Sequence, residues 1–390
     1  MIKNLHSNIL NKLYQREKMT RIELVEEFQI RPATLYDAVN SLKKKGILLE
    51  PDRKSKKTGR KAPEISINER HGYYGGIEIR DDEIIFVTLN ACGNLEGAEQ
   101  LPLSSHPKVE DVHEALTQLL KNQLQKSDRI GIPYRAIAVA DLGLVDNQKG
   151  ISLKAINIQG WELIPICHWI QKIVQVPVQL YSANNARAYR EYRALPYPRP
   201  YSLLHIELDH GIGSGLIQNG EIYNGFNGCA LEIGHLIVEE NGPHCLCGNR
   251  GCLESVIGKI SLEKRINGLK QENVNTVLNL ESFDYSAFSK ALQTSDKAAF
   301  GIFMEIVKFL GIGISSTVTL LNPEKIILSG RLTNTGEKLL TLLRQQLSMR
   351  CLPHALKNLE ILISSFDHTA TAEGAAALAL RENLLNYKNI

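Results

Sequence analysis

Leu35, Val39 and Leu42 stand at i, i+4 and i+7 in the stretch RPATLYDAVNSLKKK, so one apolar stripe runs along a helix whose other sides are polar. Pro32 sits where a first helical position falls, since its missing N–H costs nothing there. Just upstream, MTRIELVEEF carries a capping box. Thr20 caps a helix start, Glu23 reaches back to it, and Met19 with Leu24 makes a hydrophobic staple. That helix is predicted to run to about Phe28, and an earlier one bearing Ile9, Leu10 and Leu13 closes a three-helix core. Two helices joined by the short turn QIRP make a helix-turn-helix, whose second helix enters the major groove of DNA. Ala33, Thr34, Tyr36, Asp37 and Asn40 avoid the apolar stripe and, with Arg31 before them, are the candidate groove readers.

The period then changes. GILLEPDRKSKKTGRKAPEISI reads as a strand, a basic hairpin tip and a second strand. Such a wing would bring Lys54, Lys56, Lys57, Arg60 and Lys61 to phosphates or the minor groove. From about residue 67 strands alternate with helices. GYYGGIEIRDDEIIFVTLNACGNL predicts a hairpin pair, YRAIAVADLGLV a buried strand with a glycine turn, and VPVQLYSANNARAYREY a strand running into a helix. A second cycle opens at YSLLHIELDHGIGSGLIQNGEIYNG, again strand, glycine turn, strand. Two α/β lobes related by an old duplication are the architecture this pattern implies.

At 390 residues the chain is too long for one ordinary core. The expected division is a winged helix-turn-helix at 1–66, a first lobe at 67–195 completed by a C-terminal helix at 370–390, and a second lobe at 196–369. No uninterrupted apolar run reaches the length of a membrane span, and MIKNLHSNIL lacks the pattern of a signal peptide. A cytoplasmic protein without membrane attachment is therefore expected. Charge is unevenly placed: residues 1–62 hold 15 Lys and Arg against 7 Asp and Glu, while the whole chain is only +3. A basic head on a mildly acidic body fits a polyanion partner for the head.

Cysteine is sparse except at HCLCGNRGCLES, residues 244–255, where three of the seven cysteines fall within eight positions. EIGH, with Glu232 and His235, lies shortly before. A metal, a disulfide and a nucleophile are all possible uses of such a cluster, and a reducing compartment disfavours the disulfide. One histidine and three cysteines suffice to close a tetrahedral zinc site with no open position, which makes it structural. His244 competes with His235 as the imidazole, although adjacency to Cys245 makes joint chelation awkward. Cys92, Cys167, Cys229 and Cys351 read as buried core.

GIGSGLIQNGEIYNGFNGCALEIGHL followed by CLCGNRGCLE resembles the signature of the ROK family, which contains bacterial sugar kinases and sugar-responsive transcriptional repressors. INIQGW, LNPEKIILSG and TAEGAAALAL fall where that family has similar segments, so the likeness covers essentially the whole chain. It implies an actin-like, hexokinase-type two-lobed α/β body behind the winged helix-turn-helix. It implies one structural zinc per chain on His235, Cys245, Cys247 and Cys252. It also implies sugar contacts from Glu232, His235, Glu254 and the backbone of Gly143.

The kinase positions depart from the family. Its catalytic aspartate position is Ala183 and the asparagine before it is Ser182. The first phosphate loop reads EIRDDE, with Glu78, Arg80, Asp81 and Asp82 in place of an aspartate and a Gly-Gly-Thr run. His210 stands at a threonine position of the second loop, and SGR, 329–331, stands where a glycine pair belongs. A methyl group accepts no proton, and side chains displace the bare backbone that should face phosphate. The expectation is therefore no enzyme. It is a homodimeric or tetrameric repressor that binds an inverted-repeat operator in double-stranded DNA and senses a sugar or sugar phosphate. A regulator titrated by a protein partner is the alternative, and an active ROK sugar kinase the distant one.

Overall fold

The computed structural model describes residues 4–51, 62–104, 106–155 and 158–387. The head is built from α1 (Leu5–Arg16), β1 (Lys18–Thr20), α2 (Arg21–Phe28), α3 (Pro32–Lys44), β2 (Leu48–Leu49) and β3 (Glu64–Ile67). Its capping box forms: Thr20 Oγ1 accepts from the Glu23 N–H at 3.2 Å, and Glu23 Oε2 accepts from the Thr20 N–H at 2.6 Å. Ile9, Leu10, Leu24, Leu35, Val39 and Leu42 are wholly buried and make the core. The strands pair antiparallel in the order β1-β3-β2. β1 is unexpected, because three residues, KMT, are too few to signal a strand; it exists through pairing with β3. The wing tip with Lys54, Lys56, Lys57, Arg60 and Lys61 lies outside the described residues.

The chain divides into two compact units, residues 1–186 with 368–390, and residues 187–367. Beyond the head, the first contains β4 (Tyr73–Ile79), β5 (Glu83–Asn90), β6 (Leu95–Pro102), α4 (Val109–Ile130) and β7 (Tyr134–Asp141). It continues through β8 (Leu144–Asp146), β9 (Ile151–Lys154), β10 (Glu162–Ile164), α5 (Ile166–Val174) and β11 (Val178–Ser182). Five strands form a sheet in the order β11-β7-β4-β5-β6, with β4, β7 and β11 mutually parallel. The parallel strands end together, placing Ile79, Asp141 and Ser182 in register at the edge where open α/β sheets bind ligands.

α6 (Ala183–Ala194) leads into the second unit. There follow β12 (Ser202–Leu208), β13 (Ile212–Gln218), β14 (Glu221–Ile222), α7 (Leu253–Ile257), α8 (Lys259–Gln271) and α9 (Tyr285–Gln293). α10 (Lys297–Leu321), β15 (Lys325–Ser329), α11 (Glu337–Ser348), α12 (Pro353–Leu356) and β16 (Glu360–Ile363) complete it. The sheet order is β14-β13-β12-β15-β16, with the same two antiparallel and two parallel pairings as in the first unit. α10 is long and apolar enough to cross a membrane by composition. Here Ile302, Phe303, Ile306, Val307, Leu310 and Ile314 bury it in the core of the second unit.

The chain then returns to the first unit as α13 (Ala370–Leu380). Gly76 of β4 is a packing requirement against this helix, because a Cβ there would stand 1.9 Å from the Ala372 carbonyl oxygen. Helix and sheet meet here with almost nothing between them. The helix expected over 370–390 stops being regular at Leu380 and widens into a π turn, Arg381–Leu385. Ser7 Oγ and Asn11 Nδ2 of α1 both donate to the Leu385 carbonyl oxygen, at 2.5 and 2.9 Å, so the turn docks the head.

Candidate functional site

A knuckle in the second unit carries the cysteine cluster. The Val238 N–H donates to the Gly251 oxygen at 2.8 Å and the Leu253 N–H to the Leu236 oxygen at 2.8 Å, setting two segments antiparallel. Within the turn the Cys245 N–H reaches the Asn249 oxygen at 2.8 Å and the Gly248 N–H the Cys245 oxygen at 3.1 Å. Gly251 has φ +71°, and a Cβ there would fall 1.6 Å from the Glu239 carbonyl oxygen. Only glycine closes this turn.

The knuckle brings His235, Cys245, Cys247 and Cys252 together, with one donor atom from each lying within 4.8 Å of all the others. His235 Nδ1 is 3.6 Å from Cys245 Sγ, and Cys247 Sγ is 3.6 Å from Cys252 Sγ. Zinc–thiolate bonds of about 2.3 Å in a regular tetrahedron give sulfur–sulfur edges of about 3.8 Å, so the cluster fits a closed zinc site. The group can hold a metal ion. His244 is not in it and pairs instead with Arg250 across the knuckle. Burial, reinforced by the neighbouring thiols, pushes buried Cys252 up to about 12, a cost that a cation at the centre of the cluster would reverse. Of the cysteines outside it, Cys167 and Cys351 are buried as expected, whereas Cys92 is half-buried and Cys229 exposed. Cys229 misses the core because its loop turns on Asn227, whose side chain accepts the Cys229 N–H at 3.4 Å.

Glu232 precedes the short turn Ile233–His235, and Glu254 is the second residue of α7, whose N-cap is Cys252. Glu232 lies close to both His235 and Glu254. The Glu232 carboxyl is raised from its ordinary value, first by burial, with His235 opposing and Glu254 adding. Glu254 also makes a backbone contact. Its Oε2 accepts the Ile212 N–H at 2.9 Å, holding the glycine turn between β12 and β13. Gly143 lies in the other unit. Its N–H donates to Asp141 Oδ1 at 2.6 Å, and a Cβ on it would meet the Lys154 carbonyl oxygen at 2.1 Å. Asp141 escaped notice in the sequence, where it reads as one more strand residue. It is 2% exposed, burial raises it to about 6, and its Oδ2 has no hydrogen-bond partner among the described residues.

Two arginines occupy the altered loops. Arg80 donates from Nε to Glu78 at 2.8 Å, from Nη1 to Glu83 at 3.2 Å and from Nη2 to the His368 carbonyl oxygen at 2.7 Å. In the second unit Arg331 Nε donates to both oxygens of Asp209, at 2.8 and 3.1 Å. Tyr285 lies under the Arg331 guanidinium at 5.2 Å and donates its hydroxyl to the Asp209 carbonyl oxygen at 2.6 Å. Ser182 Oγ accepts the Asn185 N–H at 3.3 Å at the start of α6, and the Ala183 methyl is buried.

In the head, Leu35, Ala38, Val39 and Leu42 of α3 face inward. Arg31, Ala33, Tyr36, Asp37 and Asn40 are exposed and Thr34 is half-buried, so the residues off the apolar stripe share one solvated face. A model of the ROK family matches residues 74–382, most of the chain.

The chain belongs to the ROK family. The DNA-binding transcriptional dual regulator NagC of Escherichia coli K12 is 26% identical over 98% of this chain and 94% of its own length. A xylose repressor of Bacillus spizizenii is 26% identical over 96% of this chain and 94% of its own. The crystal structure of a ROK family transcriptional regulator, described as a homologue of E. coli MLC, superposes with a TM-score of 0.86 at 22% identity, covering 99% of this chain and 97% of that one. The fold is therefore a helical N-terminal head followed by the ROK actin-like body of sugar-kinase type.

Proposed function

We propose that this ROK protein is a DNA-binding transcriptional regulator, a repressor of carbohydrate uptake or metabolism genes acting in the cytoplasm. Its body senses a sugar or sugar phosphate and does not phosphorylate it. One observation carries the reading: the likeness to NagC and to a xylose repressor runs through the head as well as the body, and the head turns the polar face of α3 to solvent. In this reading Arg31, Ala33, Thr34, Tyr36, Asp37 and Asn40 meet bases or the adjoining backbone, and the wing lysines and arginines meet phosphate. A homodimer or tetramer matches a two-fold operator. Glu232, His235 and Glu254 contact the sugar hydroxyls. One zinc on His235, Cys245, Cys247 and Cys252 fixes the imidazole and braces the loop bearing Glu254. The zinc supplies no open coordination position, so these residues orient a ligand and activate no water.

Loss of catalysis is supported residue by residue. Ala183 offers no base, Arg80 is engaged by Glu78 and Glu83, and Arg331 by Asp209, so neither loop presents bare backbone to a phosphate. A sensor needs only different affinities for its ligand in two conformations. The test uses the full chain. A duplex motif is enriched from a random-sequence pool, and its release is then titrated with a panel of pentoses, hexoses, N-acetylhexosamines and their phosphates. Enrichment of a two-fold motif released by one sugar class is expected. Failure to enrich any motif at low salt removes the regulator reading, and a motif that no sugar releases shifts the effector to a protein partner.

A further inference from the structure

Side chains on a solvated helix face sample several rotamers, and freezing them against a base edge costs entropy. Two of the outward residues of α3 are already held. The Arg21 guanidinium lies 4.8 Å from the centre of the Tyr36 ring, and its Nη2 donates to Asn40 Oδ1 at 2.8 Å. Tyr36 and Asn40 are four apart on α3, so they stand one above the other and a single planar group at the start of α2 reaches both.

Arg21 is itself fixed from behind. Its Nε and Nη2 donate to the two oxygens of Glu50, each at 2.8 Å, and Lys43 Nζ reaches Glu50 Oε2 at 2.7 Å. The Glu50 side chain is only 9% exposed and follows β2 at the root of the wing. The guanidinium fork is therefore locked to the scaffold by two charge-assisted bonds, and its plane is set before any partner arrives.

An ion pair joining α2 to the wing needs only the edge of the guanidinium facing Glu50. The face under Tyr36 and the bond to Asn40 are surplus to that purpose. The second contact also settles the Asn40 amide: with Oδ1 toward Arg21 the pair is donor to acceptor, while the opposite rotamer would set N–H against N–H. An asparagine that reads adenine accepts from N6 with its oxygen and donates to N7 with its nitrogen. The oxygen has two lone pairs, so one serves Arg21 and one remains for the base.

We infer that Arg21 is a positioning residue for DNA reading, presetting the Tyr36 ring and the Asn40 amide and thereby setting base discrimination rather than general affinity. This rests on the DNA-binding reading of the head. Arg21→Lys is the informative variant, because it keeps the charge and loses the fork, whereas Arg21→Ala also removes a cation.

The experiment enriches duplexes with the full-length wild type, Arg21→Lys and Asn40→Ala, and measures each protein on the wild-type motif and on an unrelated duplex at one salt concentration. Melting temperature is followed alongside. One well-made amide–base contact is worth about tenfold or more in discrimination, so Arg21→Lys should lose about tenfold on the motif and less than about twofold on the unrelated duplex. It should also relax the same base pairs as Asn40→Ala. An Arg21→Lys protein that enriches the wild-type motif unchanged overturns the inference. So does one that loses both duplexes equally in step with its melting temperature, since that is a purely structural role. If the wild type enriches no motif, the DNA-binding reading itself falls and this inference falls with it.

Discussion

Glu254 shows how one carboxylate can serve two purposes that a substitution can separate. Its Oε2 holds the Ile212 N–H, and in the proposed reading its other oxygen meets a sugar hydroxyl. Glu254→Ala leaves that N–H without its acceptor, a loss of about 1–3 kcal/mol in stability if the group stays dry. Glu254→Gln can keep the acceptor and present an amide where the second oxygen was. Both variants should raise the sugar concentration needed to release operator about ten- to a hundredfold, while only alanine lowers the melting temperature. Zinc content, read in both, should stay at the wild-type value because Glu254 is not a ligand. If glutamine matches wild type in release, the carboxylate serves the turn alone. Glu50 gives a pH prediction of the same kind. Hydrogen bonding from Arg21 holds it at about 2 against the cost of burial, with Lys43 adding, so its folded value lies below the ordinary carboxylate value of 4.5. A depressed value means the contribution is present above about 4.5 and is lost as pH falls toward about 2. The gap in melting temperature between wild type and Glu50→Gln should be constant from neutral pH to about 5 and should shrink below that.

At the scale of elements, a metal held by the knuckle would be coupled to the fold. Cys247 is exposed and Cys252 buried, so the two ligands separate coordination from packing. Cys247→Ser should remove zinc, present at about one per chain in the wild type, with a modest loss of stability. Cys252→Ser should lose the metal and also disturb the core beneath α7. Metal analysis of freshly purified protein checks both, and metal-free wild type would end the zinc reading. Much of this level is legible in the sequence. The capping box, Pro32 and the stripe of Leu35, Val39 and Leu42 define the head because each encodes a local bond or burial. The cysteines of the cluster are legible because they are rare and close, whereas the choice of His235 over His244 is implied only by the family resemblance. What is not legible depends on distant partners. β1 exists through β3, the π turn 381–385 sits where Ser7 and Asn11 take the Leu385 oxygen, and the Glu254 bond to Ile212 spans 42 positions. Asp141 and Arg21 are of this sort too: a buried acid held by the Gly143 N–H and a guanidinium shared by three residues look ordinary in a string of letters.

Across the whole molecule, the proposed loss of catalysis rests on several positions of the kinase-type body together. Phosphoryl transfer asks for several things at once, a base beside the sugar hydroxyl and loops that present backbone N–H groups to phosphate. Their losses are not additive, so restoring one leaves the rest limiting. In the first unit Arg80 is bonded to Glu78, Glu83 and the His368 oxygen, at the point where the chain re-enters to form α13. In the second unit Arg331 closes on Asp209 over Tyr285. Both arginines have become internal ties, and a nucleotide would have to break a bidentate ion pair to gain a phosphate contact. Wild type should therefore yield no sugar phosphate from hexoses, pentoses or N-acetylhexosamines with ATP and magnesium. Ala183→Asp, which replaces only the base, should be equally inactive. Adding Arg331→Gly should still give no turnover, because Arg80 and its acids remain in the first unit. The check is direct detection of sugar phosphate at high enzyme concentration, with thermal shift by ATP measured in parallel. Turnover by wild type would mean that these ties open under substrate. Turnover by Ala183→Asp alone would mean that the base was the single missing part and that the arginines tolerate a nucleotide.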